Sequence, residues 1–545
     1  MAQTTGKYKI IITDHLAEEG YDILRADPDV SFDVKAGIKN AELKGILGEY
    51  DAVITRSGTN VNEELLENTG NLKIIGRAGV GLDNVDIECA SKKGLIVMNA
   101  PTGNTLAAAE LSMGMLLAAA RKIPDANTSV KAGEWDRKRF MGIQLHNKTL
   151  GIIGLGRIGG TVAVRAKAFG MKVVTFDPYI KRTRADALGV GICETLDDML
   201  KASDMITLHV PLTTETKQMI GAREIALLKK GAILINCARG GLVDDEALSK
   251  AVSSGQLFSA AVDVFDEEPP KHSPLLKTDN IFVTPHVGAN TEEGQKGVAV
   301  IICEQVLNAL HDRPYHYAVN RPFAKQQLTD DMQKYFDVSE SLGRMAAQLT
   351  SGRIHELRIV MTGKRFEEDL GERTFDTPFS YQPFTVALLK GFLERFAHMP
   401  ISYINAPYVA KDRGIEVIET KMEEYEGKRD HIILLVKTDA GEIRYAGTVF
   451  SDGLGRIVNI GQFNLDLIAR GTYLYFRNHD TPGIVGKLGT ILGEHKINIA
   501  NFELTRISQG GEAASFVLVD DPIPQTVLDV LYKLPGIIEA KVISL

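Results

Sequence analysis

The sequence predicts an α/β protein: a doubly wound parallel sheet, then an α+β region, then a small ferredoxin-like unit. Three observations predict it. Short apolar runs alternate with helical stretches from residue 7 to residue 286. One run feeds a glycine turn, Gly154-Leu155-Gly156-Arg157-Ile158-Gly159, which opens a helical pattern and leads through a second apolar run to Asp177. Residues 471–545 read β-α-β-β-α-β.

In chain order, apolar runs predict buried strands at 10–12, 52–54, 72–75 and 95–97, with helices at 63–68 and 87–93. Residues 104–121 are rich in Ala, Leu and Met and contain no Pro, which predicts a long buried helix. Strands follow at 150–153, 172–176, 205–209, 232–236, 260–264 and 281–284. Residues 291–309 form one helix, with Glu292 and Glu293 favouring its positive end and Asn290 as a good N-cap. Asp312-Arg313-Pro314 breaks that pattern.

From about residue 326 to 466 the helical runs lengthen, a Pro/Tyr-rich patch lies at 377–384, and strands are expected at 431–436 and 444–449. The last unit places strands at 473–477, 497–505, 513–519 and 537–543, and helices at 483–492 and 524–532.

A chain of 545 residues is too long for one core, so about three or four domains are expected. Hydrophobic content of 44% with 24% charged residues fits a soluble globular protein, and a net charge of -8 argues against a nucleic-acid binder. The N-terminal residues lack the apolar core of a signal peptide, and no apolar helix is long enough to span a bilayer. Cys89, Cys193, Cys237 and Cys303 are scattered without C-x-x-C spacing. That fits a reducing cytoplasm and argues against a disulfide framework or a metal site.

The glycine turn has the chemistry of a dinucleotide site. Gly154 makes the tight turn, Gly156 lets the backbone approach a pyrophosphate, and Gly159 lets helix and strand pack closely. The helix start offers N–H groups and a positive dipole end to phosphates. Asp177 can accept hydrogen bonds from a ribose diol and would repel a 2′-phosphate, which favours NAD over NADP. Lys181, Arg182 and Arg184 follow closely enough to keep that preference open.

Three further segments end apolar strands with residues of functional type: Asn236–Gly241, Asp263–Pro269 and Thr284–Gly288. Arg239 can grip a carboxylate bidentately, His286 can exchange a proton near neutral pH, and Glu268 can orient the imidazole and favour its protonated form. Singly, each is more often a salt bridge, a turn residue or a solvated loop. Their order on successive strand ends of one nucleotide-binding sheet is what points to catalysis.

With these motifs the chain resembles the D-isomer-specific 2-hydroxyacid dehydrogenases, and among them the long form of D-3-phosphoglycerate dehydrogenase. The matching stretches are GRAGVGLDNVD, NAPTGNTLAAAEL, GIIGLGRIG, INCARGGLVDDEAL, AVDVFDEEPP and TPHVGANTEEGQ. NHDTPGIVGKLGTILGEHKINIANFEL resembles an ACT domain, and INAPYVAKDRGI is similar to the intervening domain of the long form. The resemblance implies two Rossmann-like lobes: a discontinuous substrate domain at 1–103 and 288–321, and an NAD-binding domain at 104–287. An intervening domain at 322–466 and an ACT regulatory domain at 471–545 would follow.

The resemblance also implies NAD-dependent oxidation of 3-phosphoglycerate to 3-phosphohydroxypyruvate, the first step of the phosphorylated route to L-serine. Arg239 would hold the carboxylate, His286 would take the C2 hydroxyl proton, and Glu268 would support His286. Around the cofactor it sets Gly154, Gly156, Arg157, Ile158 and Gly159 at the pyrophosphate, Asp177 at the ribose, and His209, Val210 and Pro211 on the adenine side. Val80, Cys237, Ala238, Asp263, Gly288 and Ala289 would lie near the nicotinamide, with Asp263 binding its carboxamide. Arg56, Ser57 and Gly58 would bind substrate, joined by Arg137 from a neighbouring subunit of a homodimer or homotetramer. Asp480 and Asn498 would bind an L-serine effector. Two rival readings remain: a glyoxylate or hydroxypyruvate reductase, and a non-catalytic NAD(H)-sensing assembly protein. The long C-terminal part argues against both.

Overall fold

A computed structural model describes residues 7–323, 327–371 and 379–545. The expected change of character at Gln326 and the first two residues of the 377–384 patch lie outside the described residues.

The first sheet is wholly parallel. Its strands β1 (Tyr8–Ile12), β2 (Val30–Val34), β3 (Ala52–Thr55), β4 (Ile74–Arg77) and β5 (Ile96–Asn99) run in the order β2-β1-β3-β4-β5. All four residues of β3 are buried, as expected of a strand covered on both faces. The helix Glu292–Leu310 supplies part of that cover: Ile302, Cys303 and Val306 share a core with Ile10, Ile12, Ile54 and Ile74. A Cβ on Gly76 would stand 2.8 Å from Val306 Cγ2, so the glycine permits this close packing.

Two local expectations are corrected. Residues 63–68 form turns, not a helix. Asn62 Oδ1 accepts the Leu65 N–H at 3.0 Å and closes a single turn. The chain then passes tightly against Gly48 at Gly70, where φ is 48°. Asn290 does not cap the helix Glu292–Leu310. Thr291 does, its Oγ1 accepting the Gly294 N–H at 3.0 Å.

The second sheet holds β6 (Thr149–Ile153), β7 (Lys172–Phe176), β8 (Gly191–Ile192), β9 (Met205–Leu208), β10 (Ala232–Asn236), β11 (Leu257–Val262) and β12 (Ile281–Val283). They are parallel, in the order β12-β11-β10-β9-β6-β7-β8. The order reverses between β6 and β9, so the loops after these two strands open a crevice at the carboxyl edge. The first sheet reverses likewise between β1 and β3. The chain crosses from the first sheet to the second through the helix Thr105–Arg121, which packs beside β10 and β11, and returns through Glu292–Leu310.

The third sheet has β13 (Ile354–Thr362), β14 (Glu416–Met422), β15 (His431–Thr438), β16 (Gly441–Val449), β17 (Gly455–Ile460) and β18 (Phe463–Ile468), in the order β14-β13-β15-β16-β17-β18. Only the β13–β14 pair is parallel. The helices Asp330–Leu349 and Pro383–Leu393 cover one face. The last sheet, β19 (Thr472–His479), β20 (Ile499–Arg506), β21 (Glu512–Val519) and β22 (Ile537–Ser544), is antiparallel in the order β20-β21-β19-β22. Its helices Ile484–Glu494 and Gln525–Leu531 cover one face, giving the ferredoxin-like order read from the sequence.

Candidate active site

The glycine turn joins β6 to the helix Arg157–Ala168. Gly154 has φ 89°, and a Cβ there would stand 2.8 Å from the His209 carbonyl oxygen. A Cβ on Gly159 would stand 2.1 Å from the Gly154 carbonyl oxygen, so any side chain would force the helix off the strand. A Cβ on Gly156 would meet nothing within 4 Å. The turn is therefore closed on the protein side and open on the other. Gly156 is also the N-cap, and no side chain caps this helix, so its first N–H groups remain available to an anion. These features fit a dinucleotide pyrophosphate.

Asp177 follows β7 and faces the turn. One carboxylate oxygen accepts the Leu155 N–H at 2.9 Å and the other the Tyr179 N–H at 3.0 Å, leaving lone pairs for a diol. Arg184 is turned back onto the turn, donating to the Leu155 carbonyl at 3.2 Å and the Gly156 carbonyl at 3.0 Å. Arg182 lines a neighbouring cavity of about 430 Å³ with Asp177 and Pro178. Across the crevice, Val210 abuts Gly154, Thr216 donates to the Pro211 carbonyl at 2.7 Å, and His209 Nε2 lies 3.0 Å from Thr207 Oγ1. Burial pushes His209 down to about 4, so its ring is neutral at physiological pH. Arg157 is exposed at the helix start, while Ile158 packs into the core beneath it.

His286 and Glu268 meet at the carboxyl edge. His286 Nδ1 lies 2.8 Å from Glu268 Oε2 and 3.0 Å from Oε1, while Glu268 also accepts the Phe265 N–H at 3.2 Å. Their side chains are 47% and 38% exposed, so the pair faces open space rather than the core. His286 has φ 52°, a conformation held only where its surroundings impose it. The imposing group is Asp263, which is fully buried. It accepts the Thr284 hydroxyl at 2.6 Å, the Val287 N–H at 2.9 Å and the Gly288 N–H at 2.9 Å. Asp263 thus fastens the segment that carries His286. Ala289 is held in turn by Gln295, which donates to its carbonyl at 2.9 Å.

Arg239 leaves β10 and reaches the other lobe. Its Nε donates to Asp83 Oδ2 at 2.9 Å and its Nη1 to the Ala238 carbonyl at 2.7 Å. Asn236 shapes that loop, donating to the Arg239 carbonyl at 2.9 Å and accepting the Ala238 N–H at 3.1 Å. A Cβ on Gly240 would stand 2.0 Å from the Phe265 carbonyl oxygen, so the loop needs glycine there. Cys237 lies behind it, its thiol pushed up to about 12 by burial.

At the carboxyl edge of the first sheet, Arg56, Ser57 and Gly58 wrap around Asp14. Asp14 Oδ2 accepts the Arg56 N–H at 2.8 Å and the hydroxyls of Thr55 and Thr59 at 3.1 and 3.2 Å. Asn84 clamps the same loop through the carbonyls of Arg56 and Thr59, and Asn99 donates to the Val80 carbonyl at 2.7 Å. The sequence reading overlooked Asp14, Asp83, Asn84 and Asn99. The last three stand inside its quoted motifs, but their partners are distant in the chain.

Arg137 is not drawn into this group. It lies exposed on the loop after the helix Ile123–Lys131, beside Trp135, which is 80% exposed. Asp480 and Asn498 each have partners of their own. Asp480 Oδ2 accepts from Arg506 at 2.5 Å and from the Gly510 N–H at 3.2 Å, and Arg506 holds this carboxyl below its usual range. Asn498 donates to Asp520 at 2.6 Å. Gly483 stands at the N-cap of Ile484–Glu494.

Comparison with known proteins fits this architecture. The NAD binding domain model of the D-isomer specific 2-hydroxyacid dehydrogenases matches residues 113–288, which contain the glycine turn and the Arg239, Glu268 and His286 loops. The D-3-phosphoglycerate dehydrogenase intervening domain matches residues 331–461, and the ACT domain residues 472–536. The D-3-phosphoglycerate dehydrogenase of Methanocaldococcus jannaschii is 40% identical over 98% of this chain and 100% of its own. That of Bacillus subtilis is 37% identical over 99% and 100%. Among solved structures, the TT0316 protein of Thermus thermophilus is 34% identical with a TM-score of 0.53, covering 57% of this chain and 99% of its own. A D-lactate dehydrogenase of Aquifex aeolicus, solved with NAD and lactic acid, is 29% identical with a TM-score of 0.50, covering 56% and 96%. The chain belongs to the D-3-phosphoglycerate dehydrogenase family of NAD-dependent oxidoreductases.

Proposed function

We propose that this chain oxidises 3-phosphoglycerate to 3-phosphohydroxypyruvate with NAD, as the first step of L-serine synthesis. The observation that carries the reading is the His286–Glu268 pair at the carboxyl edge, with the loop of Arg239 packed at Gly240 against Phe265 of the loop that carries Glu268, on the same sheet as a glycine turn that fits a pyrophosphate. NAD, when bound, supplies the hydride acceptor. Gly154, Gly156, Arg157, Ile158 and Gly159 hold its pyrophosphate, Asp177 its adenosine ribose, and His209, Val210 and Pro211 the adenine side. Val80, Cys237, Ala238, Asp263, Gly288 and Ala289 surround the nicotinamide.

Arg239 holds the substrate carboxylate with its guanidinium fork and so fixes C2. His286 faces Glu268 through Nδ1, which leaves Nε2 to accept the C2 hydroxyl proton. Glu268 fixes the ring and stabilises the imidazolium that forms. Arg56 receives the phosphate end, Ser57 and Gly58 offer main-chain N–H groups to the carboxylate, and Arg137 of a second copy closes the cleft in a homodimer or homotetramer. The lobes divide as 1–103 with 288–321 for substrate and 104–287 for NAD, followed by the intervening domain at 322–466 and the ACT domain at 471–545. Asp177 excludes a 2′-phosphate, and the engagement of Arg184 with the glycine turn removes one cation that could accept it.

Asp480 and Asn498 bind L-serine where two ACT domains meet, and the amino acid lowers turnover. The chain works in the cytoplasm, a reading supported by four free cysteines and by the lack, among the described residues, of a helix long and apolar enough to cross a membrane. The test is NADH formation at 340 nm with NAD and 3-phosphoglycerate, with D-glycerate as control and L-serine titrated. Phosphate-dependent turnover that falls with serine is expected. No turnover with any 2-hydroxyacid, despite tight NADH binding, would favour a sensing protein.

A further inference from the structure

Asp83 stands in the loop after β4, at the carboxyl edge of the first sheet. Residues of that same sheet and its loops hold this loop. Asn99 donates to the Val80 carbonyl at 2.7 Å, and the Val85 N–H donates to the Leu82 carbonyl at 2.8 Å. The Asn84 side chain donates to the carbonyls of Arg56 and Thr59 at 2.7 and 2.6 Å. None of these bonds uses the Asp83 side chain. Among the described residues its carboxylate has one hydrogen-bonded partner, and that partner follows a strand of the second sheet: Arg239 Nε, at 2.9 Å.

The second sheet fixes the backbone of Arg239 but not its side chain. Asn236 holds the Arg239 carbonyl, and Gly240 sits against the Phe265 carbonyl. Beyond the backbone, the only hold from this side is the bond from Nη1 to the Ala238 carbonyl at 2.7 Å. A planar guanidinium held at one nitrogen can still swing about that bond, and a second hold at Nε sets its plane. With Nε and one Nη1 donor engaged, the other Nη1 N–H and both of Nη2 stay available. Gly81, in the Asp83 loop, makes room for this pose: a Cβ there would stand 1.9 Å from Arg239 Nη2 and 2.7 Å from Asp83 Oδ2. The Asp83 side chain is 57% exposed, so the ion pair adds little to stability. What it sets is the direction of the guanidinium.

Resting on the function proposed above, in which Arg239 holds the substrate carboxylate, we propose that Asp83 is a positioning residue for that bond. It aligns the guanidinium from the opposite sheet, so the carboxylate meets a donor set already in place. The alignment is complete only while the carboxyl edges of the two sheets are apposed, because each supplies one hold. The full-length chain is compared with Asp83→Ala, Asp83→Asn, Arg239→Met and the double variant Asp83→Ala/Arg239→Met, by NADH oxidation with 3-phosphohydroxypyruvate. Asp83→Ala is expected to lower kcat/KM by about ten- to a hundredfold through misalignment of Arg239. Asp83→Asn keeps an oxygen acceptor for the Nε–H and should recover part of that loss. Tm and NADH affinity should stay parental. In the Arg239→Met background, Asp83→Ala should change kcat/KM by less than about twofold, because the group it positions is gone. An equal loss in both backgrounds would assign Asp83 to holding its own loop. No loss would leave the ion pair without a role in turnover, and a rise in kcat/KM would mean that Asp83 competes with substrate for Arg239. Each of these three results overturns the proposal alone. Parental kcat/KM in Arg239→Met, or no turnover of 3-phosphohydroxypyruvate by the parental chain, would overturn the underlying reading, and the proposal with it.

Discussion

The sequence offers His286, Glu268 and Arg239 as candidates because each follows an apolar strand and carries a chemically committed side chain, and the structure sets His286 against Glu268. The sequence does not offer their helpers. Asp83 meets Arg239 across 156 residues of chain, and no local pattern announces such a pairing. Asp263 was read as a cofactor ligand, yet its three hydrogen bonds within the chain show that it also builds the His286 segment. His209 carries a prediction at this scale. Its folded pKa of about 4 lies below the unfolded value of 6.5. The stability held by the neutral ring is complete above 6.5 and drains away as pH falls towards 4. Between pH 7 and pH 5 this single group should cost about 2 kcal/mol. A His209→Gln variant should show a shallower fall of Tm over that interval than the parent, and parallel curves would refute the burial argument.

The glycine turn shows what an element reveals about itself. Residues 154, 156 and 159 were read as turn, approach and packing, and the contacts a Cβ would make at Gly154 and Gly159 give two of those reasons physical content. Strand β2 escaped notice because Val-Ser-Phe-Asp-Val is only half-buried and mixes polar with apolar side chains at a sheet edge. The turn at 63–68 was misread because apolar Leu65 and Leu66 mimic a helical face, while tertiary packing at Gly48 and Gly70 stops the helix. The segment 284–288 depends on Asp263 as a unit. Asp263→Ala would leave two buried N–H groups and a hydroxyl unpaired, each costing about 1–3 kcal/mol. The variant should melt earlier and lose kcat through misplaced His286. A variant with parental Tm and kcat would show that the segment holds itself.

The described residues form four sheets, but their cores do not divide where the sequence changes character. Tyr473, Tyr475, Phe516 and Ile543 of the last sheet share one apolar cluster with Phe336, Leu342 and Tyr445 of the preceding region. Gln348 and Ser544 exchange two hydrogen bonds across the same seam, at 2.9 and 3.1 Å. No periodicity within either segment signals this shared core, because each face is complete only against the other. Phe516→Ala should therefore destabilise both regions by about 3–5 kcal/mol. Hydrogen exchange should show protection falling together in β15 and β21, whereas loss confined to β21 would mean that the seam is weak. The two α/β lobes meet through Arg239, and the cleft between them is where the central claim lies. The most direct test is NADH formation from NAD and 3-phosphoglycerate by the parental chain and by His286→Asn, with NADH affinity measured alongside. The account predicts parental NADH binding with turnover reduced by about 10²–10⁴, the contribution of a positioned proton acceptor. Near-parental turnover in the variant would contradict it.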